Sequence, residues 1–336
     1  MAVLCVVSLA EGSGKTAICA GLAQHLLEDG KKAGFLKPVR PGKQATLTEG
    51  IDGDAELMKH LLSLPDAPQD LCPAVGDDAA VTQVIKEAYD RASRGKDVLL
   101  IEGDDSPDNI TQSIAEAADA KVLIVTGPEE SPGEALTAAA RLFGKRLLGV
   151  VLNKVPVSQV QRVRSQAVPA FSAGGVEVLG VLPEDRALSS ITVGALAEGI
   201  RGEIRNNSDK SAELAENYML GAMTPDSGLL YFGRKDKKVA IVRGERADMQ
   251  LAVLQTPTRA LVLSGGHDVL PQIAGQAEQK GIPIIAAEDK VADIVTTIEG
   301  LLARARFSAA KLPAISRAME GHLDFAAIYR GLGLVA

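Results

Sequence analysis

The residues best placed to do chemistry lie near the start of the chain. The run Ser8-Leu9-Ala10-Glu11-Gly12-Ser13-Gly14-Lys15-Thr16 follows an apolar stretch, residues 2–8, and opens a helical pattern, residues 16–28. A phosphate group needs that setting, because free backbone N–H groups at a helix start point at the anion. Gly12 and Gly14 let the backbone approach closely. Lys15 offers a point charge to β- and γ-phosphates, and the Thr16 hydroxyl can ligate Mg²⁺. The phosphate-loop consensus has glycine five residues before Gly14, where this chain has Leu9. The plainer alternative is a glycine-rich strand-to-helix turn with no ligand.

Three further residues agree with the phosphate reading. Lys37 ends a second strand and precedes Pro38, so it sits in an extended segment at the carboxyl edge, where open sheets bind ligands. Asp54 opens a helix after the polar residues 50–53 and would serve equally as an N-cap. Glu102 closes a strand before Gly103, where a carboxylate can hold Mg²⁺ directly or through water. The candidate catalytic residues are therefore Lys15 and Lys37. The candidate nucleotide cradle is Glu11, Gly12, Ser13, Gly14, Lys15, Thr16 and Ala17, and the candidate metal ligands are Thr16, Asp54 and Glu102.

Regular elements must hold these residues. Short apolar runs at 2–8, 33–39, 97–102, 121–126, 147–152 and 176–182 read as strands. Helical patterns at 16–28, 54–64, 79–93, 110–118, 133–143 and 157–171 alternate with them, and Gly30 is a helix stop. This rhythm predicts an α/β fold, a mostly parallel sheet covered by helices on both faces. Residues 188–200 read as a connecting helix and 201–213 as an exposed, charged boundary. A second α/β rhythm follows, with strands at 229–232, 238–242, 260–264 and 282–286 and helices at 247–254, 269–280 and 291–305. The expected division is a domain at 1–200, a smaller one at 214–305, and a helical tail at 306–336 broken at Pro313.

Composition narrows the function. The chain has 336 residues, 36 Lys+Arg against 43 Asp+Glu, no Trp, four Tyr and six Phe. A net charge of −7 with 3% aromatics argues against nucleic-acid binding by a basic surface or by base stacking. No run approaches the ~18 apolar residues of a membrane span, and the N-terminus does not read as a signal peptide. A cytoplasmic protein without a membrane partner is expected. Cys5, Cys19 and Cys72 show no CxxC spacing, and Cys5 and Cys19 read as core residues.

At these residues the first part of the chain resembles the dethiobiotin synthetase-like branch of P-loop NTPases. The resemblance covers roughly residues 1–200. Beyond Gly-Ser-Gly-Lys-Thr it rests on Phe35-Leu36-Lys37-Pro38-Val39, Ile101-Glu102-Gly103, Gly149-Val150-Val151-Leu152-Asn153-Lys154 and Gly180-Val181-Leu182-Pro183-Glu184. It implies that Lys15, Thr16, Lys37, Asp54 and Glu102 form an ATP–Mg²⁺ set, with Asn153 and Pro183 near the adenine. It also implies activation of a carboxylate or carbamate as a mixed phosphate anhydride. The sequence departs from the family where the substrate would bind. The family's Thr-Gly segment is replaced by Arg40-Pro41-Gly42-Lys43, and its Gly-rich continuation after Glu102-Gly103 by Asp104-Asp105.

The second part resembles a DRTGG domain. It carries Arg243-Gly244-Glu245-Arg246-Ala247-Asp248, Leu263-Ser264-Gly265-Gly266 and Gly281-Ile282-Pro283-Ile284 in order. The pair is similar to the N-terminal regulatory half of long bacterial phosphotransacetylases, and with no room for the acetyltransferase domain in 336 residues, a standalone version, or part of a larger system, is expected. Ser264, Gly265 and Gly266 could form an anion nest with Arg246 as a possible effector site, held by Glu245 and Asp248. A tight turn with a structural ion pair is the alternative. The domain would serve dimerisation, a protein partner or a small-molecule effector.

Three functions fit this pattern. One is a regulatory ATP–Mg²⁺-binding protein, expected as a homodimer or higher homo-oligomer. Another is an ATP-dependent enzyme that phosphorylates a small carboxylate, akin to dethiobiotin or cobyrinic acid diamide synthases. No cysteine stands in a nucleophile-elbow context with a histidine, which counts against an amidotransferase. A partner-driven ATPase is the third, although the paired lysine of one such branch is missing from Leu9-Ala10-Glu11.

Overall fold

The computed structural model describes residues 1–38, 52–74, 81–105, 107–128, 133–221 and 228–334. Val39 and the substrate-side departure, Arg40 to Lys43, lie outside them. Contacts divide the chain into two units, Met1–Glu184 with Leu312–Ala336, and Asp185–Lys311. The boundary expected at 201–213 falls inside the second unit, and most of the expected tail belongs to the first.

The first unit runs β1 (Ala2–Ser8), α1 (Lys15–Glu28), β2 (Ala33–Leu36), α2 (Gly53–Leu61), α3 (Pro68–Leu71), α4 (Val81–Ala92), β3 (Val98–Glu102) and α5 (Asn109–Ala117). It continues with β4 (Lys121–Thr126), α6 (Glu134–Phe143), β5 (Leu147–Val155), α7 (Val160–Arg162), α8 (Val168–Ala173) and β6 (Val178–Pro183). All six strands are parallel, in the order β2-β3-β1-β4-β5-β6. From β1 the chain builds leftward to β2 and β3, then crosses to β4 on the other side. Strand order therefore reverses beside β1, and ligands of open α/β sheets bind outside the carboxyl ends at such a point. Ser8 ends β1 and Glu102 ends β3, so the topology brings both to that edge.

Burial on both faces explains the unbroken apolar strands. Val3, Cys5 and Val7 enter one core with Leu99, Ile101, Val122 and Ile124. Cys5 and Cys19 are fully buried, as their apolar settings predict. On α1, Gly21 leaves room for the residues that return from the far end of the chain, since a Cβ there would stand 3.3 Å from Ile315 Cγ1.

The second unit runs β7 (Ile191–Thr192), α9 (Val193–Gly199), β8 (Glu203–Ile204), β9 (Leu214–Ala215), β10 (Asn217–Leu220), α10 (Gly228–Phe232) and β11 (Lys238–Arg243). It ends with α11 (Ala247–Leu254), β12 (Thr258–Ser264), α12 (Pro271–Lys280), β13 (Ile284–Ala286) and α13 (Val291–Ala303). The main sheet is β10-β11-β12-β13-β8, parallel except for the antiparallel edge strand β8. Side chains alternate across it. Val239, Ile241 and Val262 pack with Leu196, Ile294 and Ile298 on one face. Ala240, Val242 and Leu261 pack with Met249, Val253 and Ile273 on the other.

Three expectations change here. Residues 229–232 form the end of helix α10 rather than a strand, because a four-residue apolar run carries no period that separates the two. The charged segment 201–213 stays at the surface, with none of its residues buried, but it is tied to the sheet rather than forming a boundary. It contains β8, and Asn206 accepts from the Ile284 amide at 2.8 Å while donating to Ile282 O at 3.1 Å. The connecting helix expected at 188–200 is shorter, with β7 before α9 and Thr192 capping the Ala195 amide.

The chain then returns to the first unit as α14 (Leu312–Glu320) and α15 (Phe325–Leu332). Pro313 starts α14 instead of breaking it, since the first turn has no use for its missing N–H. The linking residues continue the edge of β6: Val181 N donates to His322 O at 3.1 Å and Asp324 N to Leu179 O at 2.7 Å. On α15, Phe325 stacks on His25 at 3.6 Å, and the Tyr329 hydroxyl donates to Asp29 at 2.7 Å.

Candidate functional site

The loop after β1 is shaped for an anion. Gly12 and Gly14 have φ of 72° and 99°, left-handed values that glycine adopts without strain. Gly14 is the N-cap of α1 and provides no side-chain cap. The backbone amides from Gly12 to Thr16 donate to no protein acceptor among the described residues. Ser13 braces the turn by donating to Ala10 O at 2.7 Å. Glu11 is exposed, and Ala17 is buried in the first turn of α1. Lys15 folds back over the end of β1, donating to Ser8 Oγ at 3.0 Å and pairing with the Asp105 carboxylate.

Beside the loop, Lys37 stands among acids. Its ammonium donates to both Asp52 oxygens at 3.0 and 3.1 Å, pairs with Asp54, and lies 3.9 Å from Glu102. Burial disfavours its charge, but Glu102, Asp54 and Asp52 outweigh that and raise its pKa. The helix cap expected of Asp54 belongs to Asp52, which accepts from the Asp54 and Ala55 amides at 3.0 Å each. Asp54 is thereby left in the first turn of α2, facing Thr16 and Lys37.

Thr16 Oγ1 donates to Glu102 Oε1 at 2.9 Å, with Asp54 Oδ2 at 3.4 Å. Burial pushes the Glu102 carboxyl up to about 7, helped by Asp54 and opposed by Lys37, Lys15 and the Thr16 bond. Its other oxygen, Oε2, is buried without a hydrogen-bond partner. An orphaned carboxylate oxygen beside a hydroxyl and a second carboxylate fits Mg²⁺, which takes one or two carboxylates and leaves its other positions to phosphate and water. Among the described residues no cluster of three His, Cys, Asp or Glu side chains forms a complete metal cage.

Asn153 and Lys154, near the end of β5, hold the loop from the other side. Asn153 is buried and donates to Ser13 O at 2.8 Å; Lys154 donates to Gly12 O at 2.7 Å. Lys154 achieves this with a φ of 55°. A Cβ on Gly14 would collide with the Asn153 amide, so Gly14 is needed for close approach as well as for its φ. Pro183 ends β6, in register with Val155 on the neighbouring strand. A groove of about 640 Å³ adjoins the loop at Leu9, lined also by Ile110, Ala135, Ala139 and Leu142.

Sequence reasoning did not reach Asp52, Asp105 or Lys154 as partners of the loop and of Lys37. Asp52 had a local signal, an Asp two residues before a helix-opening Asp. Asp105 and Lys154 act across 90 and 142 positions, a link that spacing does not reveal.

The corresponding loop of the second unit is closed. Gly265 N donates to Asp289 O at 3.2 Å and Gly266 N to Ala287 O at 3.1 Å, so these two amides are not offered to an anion. Ser264 is buried at the end of β12. Arg246 donates to Asp248 through Nε at 2.9 Å and Nη2 at 2.7 Å, while Glu245 faces Arg243 and His267. The arrangement is that of a tight turn with an ion pair.

The comparisons with known proteins follow this division. A family model described as an AAA domain, AAA_26, matches residues 2–192, and the DRTGG domain model matches residues 195–301. A phosphate acetyltransferase of Nitrosomonas europaea is 25% identical over 310 residues, covering 83% of this chain and 44% of that protein. An ATP-dependent dethiobiotin synthetase of Bacillus thuringiensis is 26% identical over 192 residues, covering 51% of this chain and 78% of that protein. The chain thus spans less than half the length of the Nitrosomonas acetyltransferase. Among solved structures, the MinC:MinD complex of Aquifex aeolicus is 22% identical with a TM-score of 0.39, covering 56% of this chain and 84% of that one. No helix among the described residues is long and apolar enough to cross a membrane. The open loop at the end of β1, carried on six parallel strands and followed by a second α/β unit, is the pairing those two models describe: the chain belongs to the AAA_26 family of P-loop domains, joined to a DRTGG domain.

Proposed function

We propose that the protein binds ATP with Mg²⁺ and acts as a nucleotide-responsive regulator. The observation that carries the binding is the set of unspent amides from Gly12 to Thr16, with Lys15 and Thr16 beside them. The amides and Lys15 would take the phosphates. Thr16, Asp54 and Glu102 would hold Mg²⁺, which when bound neutralises phosphate charge. Lys37 supplies the positive charge to these acids in the free protein and would lie beside the terminal phosphate once the metal shares them.

Regulation is supported by connectivity. The second unit leaves the first directly after β6, at the carboxyl edge, and rejoins it at α14, whose Ile315 packs against α1. One covalent end therefore attaches to the outer strand of the sheet that carries the phosphate loop, and the other to a helix packed on α1. The two relatives named above share the first domain or both, and a homo-oligomer is part of this reading.

Calorimetric titration with ATP, with and without Mg²⁺, and single-turnover hydrolysis test the proposal. Binding that needs Lys15, with negligible turnover, is the expected result; no binding by wild type would sink it. The groove beside Leu9 favours one second reading, phosphorylation of a small carboxylate. ATP turnover that appears only when such an acid is added would establish that instead.

A further inference from the structure

The ion pair between Lys15 and Asp105 occupies the ammonium that a phosphate chain requires. Its position is built by the sheet. Beyond β3 the chain keeps pairing with β1 for two more residues, Gly103 N donating to Val6 O at 2.8 Å and Ser8 N to Asp104 O at 3.2 Å. Gly103 permits this approach, since a Cβ there would meet Val7 Cγ1 at 2.7 Å. The extension carries Asp105 over the end of β1. There its carboxylate accepts from Ser8 Oγ at 3.2 Å and pairs with Lys15, whose side chain is only 10% exposed. Asp104 Oδ1 accepts from the Asp105 amide at 2.7 Å and fixes the turn.

We propose that Asp105 is a built-in rival of the nucleotide's phosphate chain, holding Lys15 when the site is free and raising the nucleotide concentration at which the loop fills. Two anions compete for one ammonium, so a polyphosphate must displace the carboxylate and then sit near it. Asp105 acts through Lys15 and is a positioning residue. This inference rests on the phosphate-loop reading above and adds the residue that sets its affinity.

Titration of the full chain with Mg-ATP and with inorganic tripolyphosphate, at two salt concentrations, tests it. Asp105→Asn should bind both about tenfold more tightly than wild type, with a steeper loss of affinity in salt, because one repulsive charge is gone. Asp105→Glu should restore weaker binding. Asp104→Asn, which removes the same charge one residue away, should change affinity less than about threefold. A merely structural role for Asp105 predicts the opposite sign, weaker binding with a lower melting temperature. Equal or weaker binding by Asp105→Asn, with wild type binding normally, overturns this inference alone. No binding by either folded protein overturns the phosphate-loop reading and this inference with it.

Discussion

The loop after β1 and the loop after β12 are made of the same material. Each follows a buried, central, parallel strand, and each has two glycines at positive φ, 72° and 99° in the first, 92° and 69° in the second. They differ in where their amides point. Among the described residues none of the amides from Gly12 to Thr16 has an acceptor, whereas Gly265 and Gly266 are bonded to carbonyls of the segment after β13. Glycine content and strand-end position therefore do not make an anion site. What makes one is a helix start whose first N–H groups find no acceptor.

Substitutions that separate the two loops test this contrast. The largest effect is expected for Lys15→Ala, which should lower ATP affinity at least about 100-fold, as for loss of one partner in a buried charge-assisted contact. Gly265→Ala should leave that affinity unchanged in the same titration. Next is Gly244→Ala, because its Cβ would meet the His267 ring at 2.7 Å. Overpacking of this kind costs about 1–3 kcal/mol. The loss should register in urea unfolding followed in the second unit, with nucleotide binding intact.

Asp52→Ala removes a helix cap and a partner of Lys37, and should cost the first unit about 1–2 kcal/mol in the same assay. A smaller effect concerns pH. The folded Glu102 carboxyl titrates near 7, against an ordinary value of 4.5. Between those values the folded state holds more protons than the unfolded one, so Glu102 should make stability of the free protein fall as pH rises from 4.5 to 7. Denaturation midpoints in Glu102→Gln should lack this slope. Arg246→Ala should be the mildest, with no change in ATP affinity, since its guanidinium is engaged with Asp248.

The parts readable from sequence were those whose causes are local. A buried strand, a glycine turn, Lys15 and Thr16 lie within one short stretch, and the mostly parallel sheet that carries them follows from the alternation of apolar runs and helices. Lys37 and Glu102 were placed at the right edge for the same reason. The long-range partners of the loop were not readable. Asp105 reaches Lys15 only because β3 pairs with β1, and Asn153 reaches Ser13 only because β5 lies two strands from β1. The choice between anion nest and tight turn at the Gly-Gly motif of the second unit was open in the sequence for a related reason. Its amides are spent on Ala287 and Asp289, residues whose sequence carries no sign of that pairing.

The return of α14 and α15 bears on how this chain is made. On a ribosome, everything from Asp185 to Lys311 emerges before the helices that complete the first unit. That wait is on the order of ten seconds at ordinary rates of synthesis. During it, Gly21 on α1 and the outer edge of β6 lack the residues that cover them, and an uncovered strand edge invites mispairing. The later-made unit is continuous, so all of it has been made before the first unit is complete. The phosphate loop thus stands on a finished scaffold only after residue 332 has left the exit tunnel.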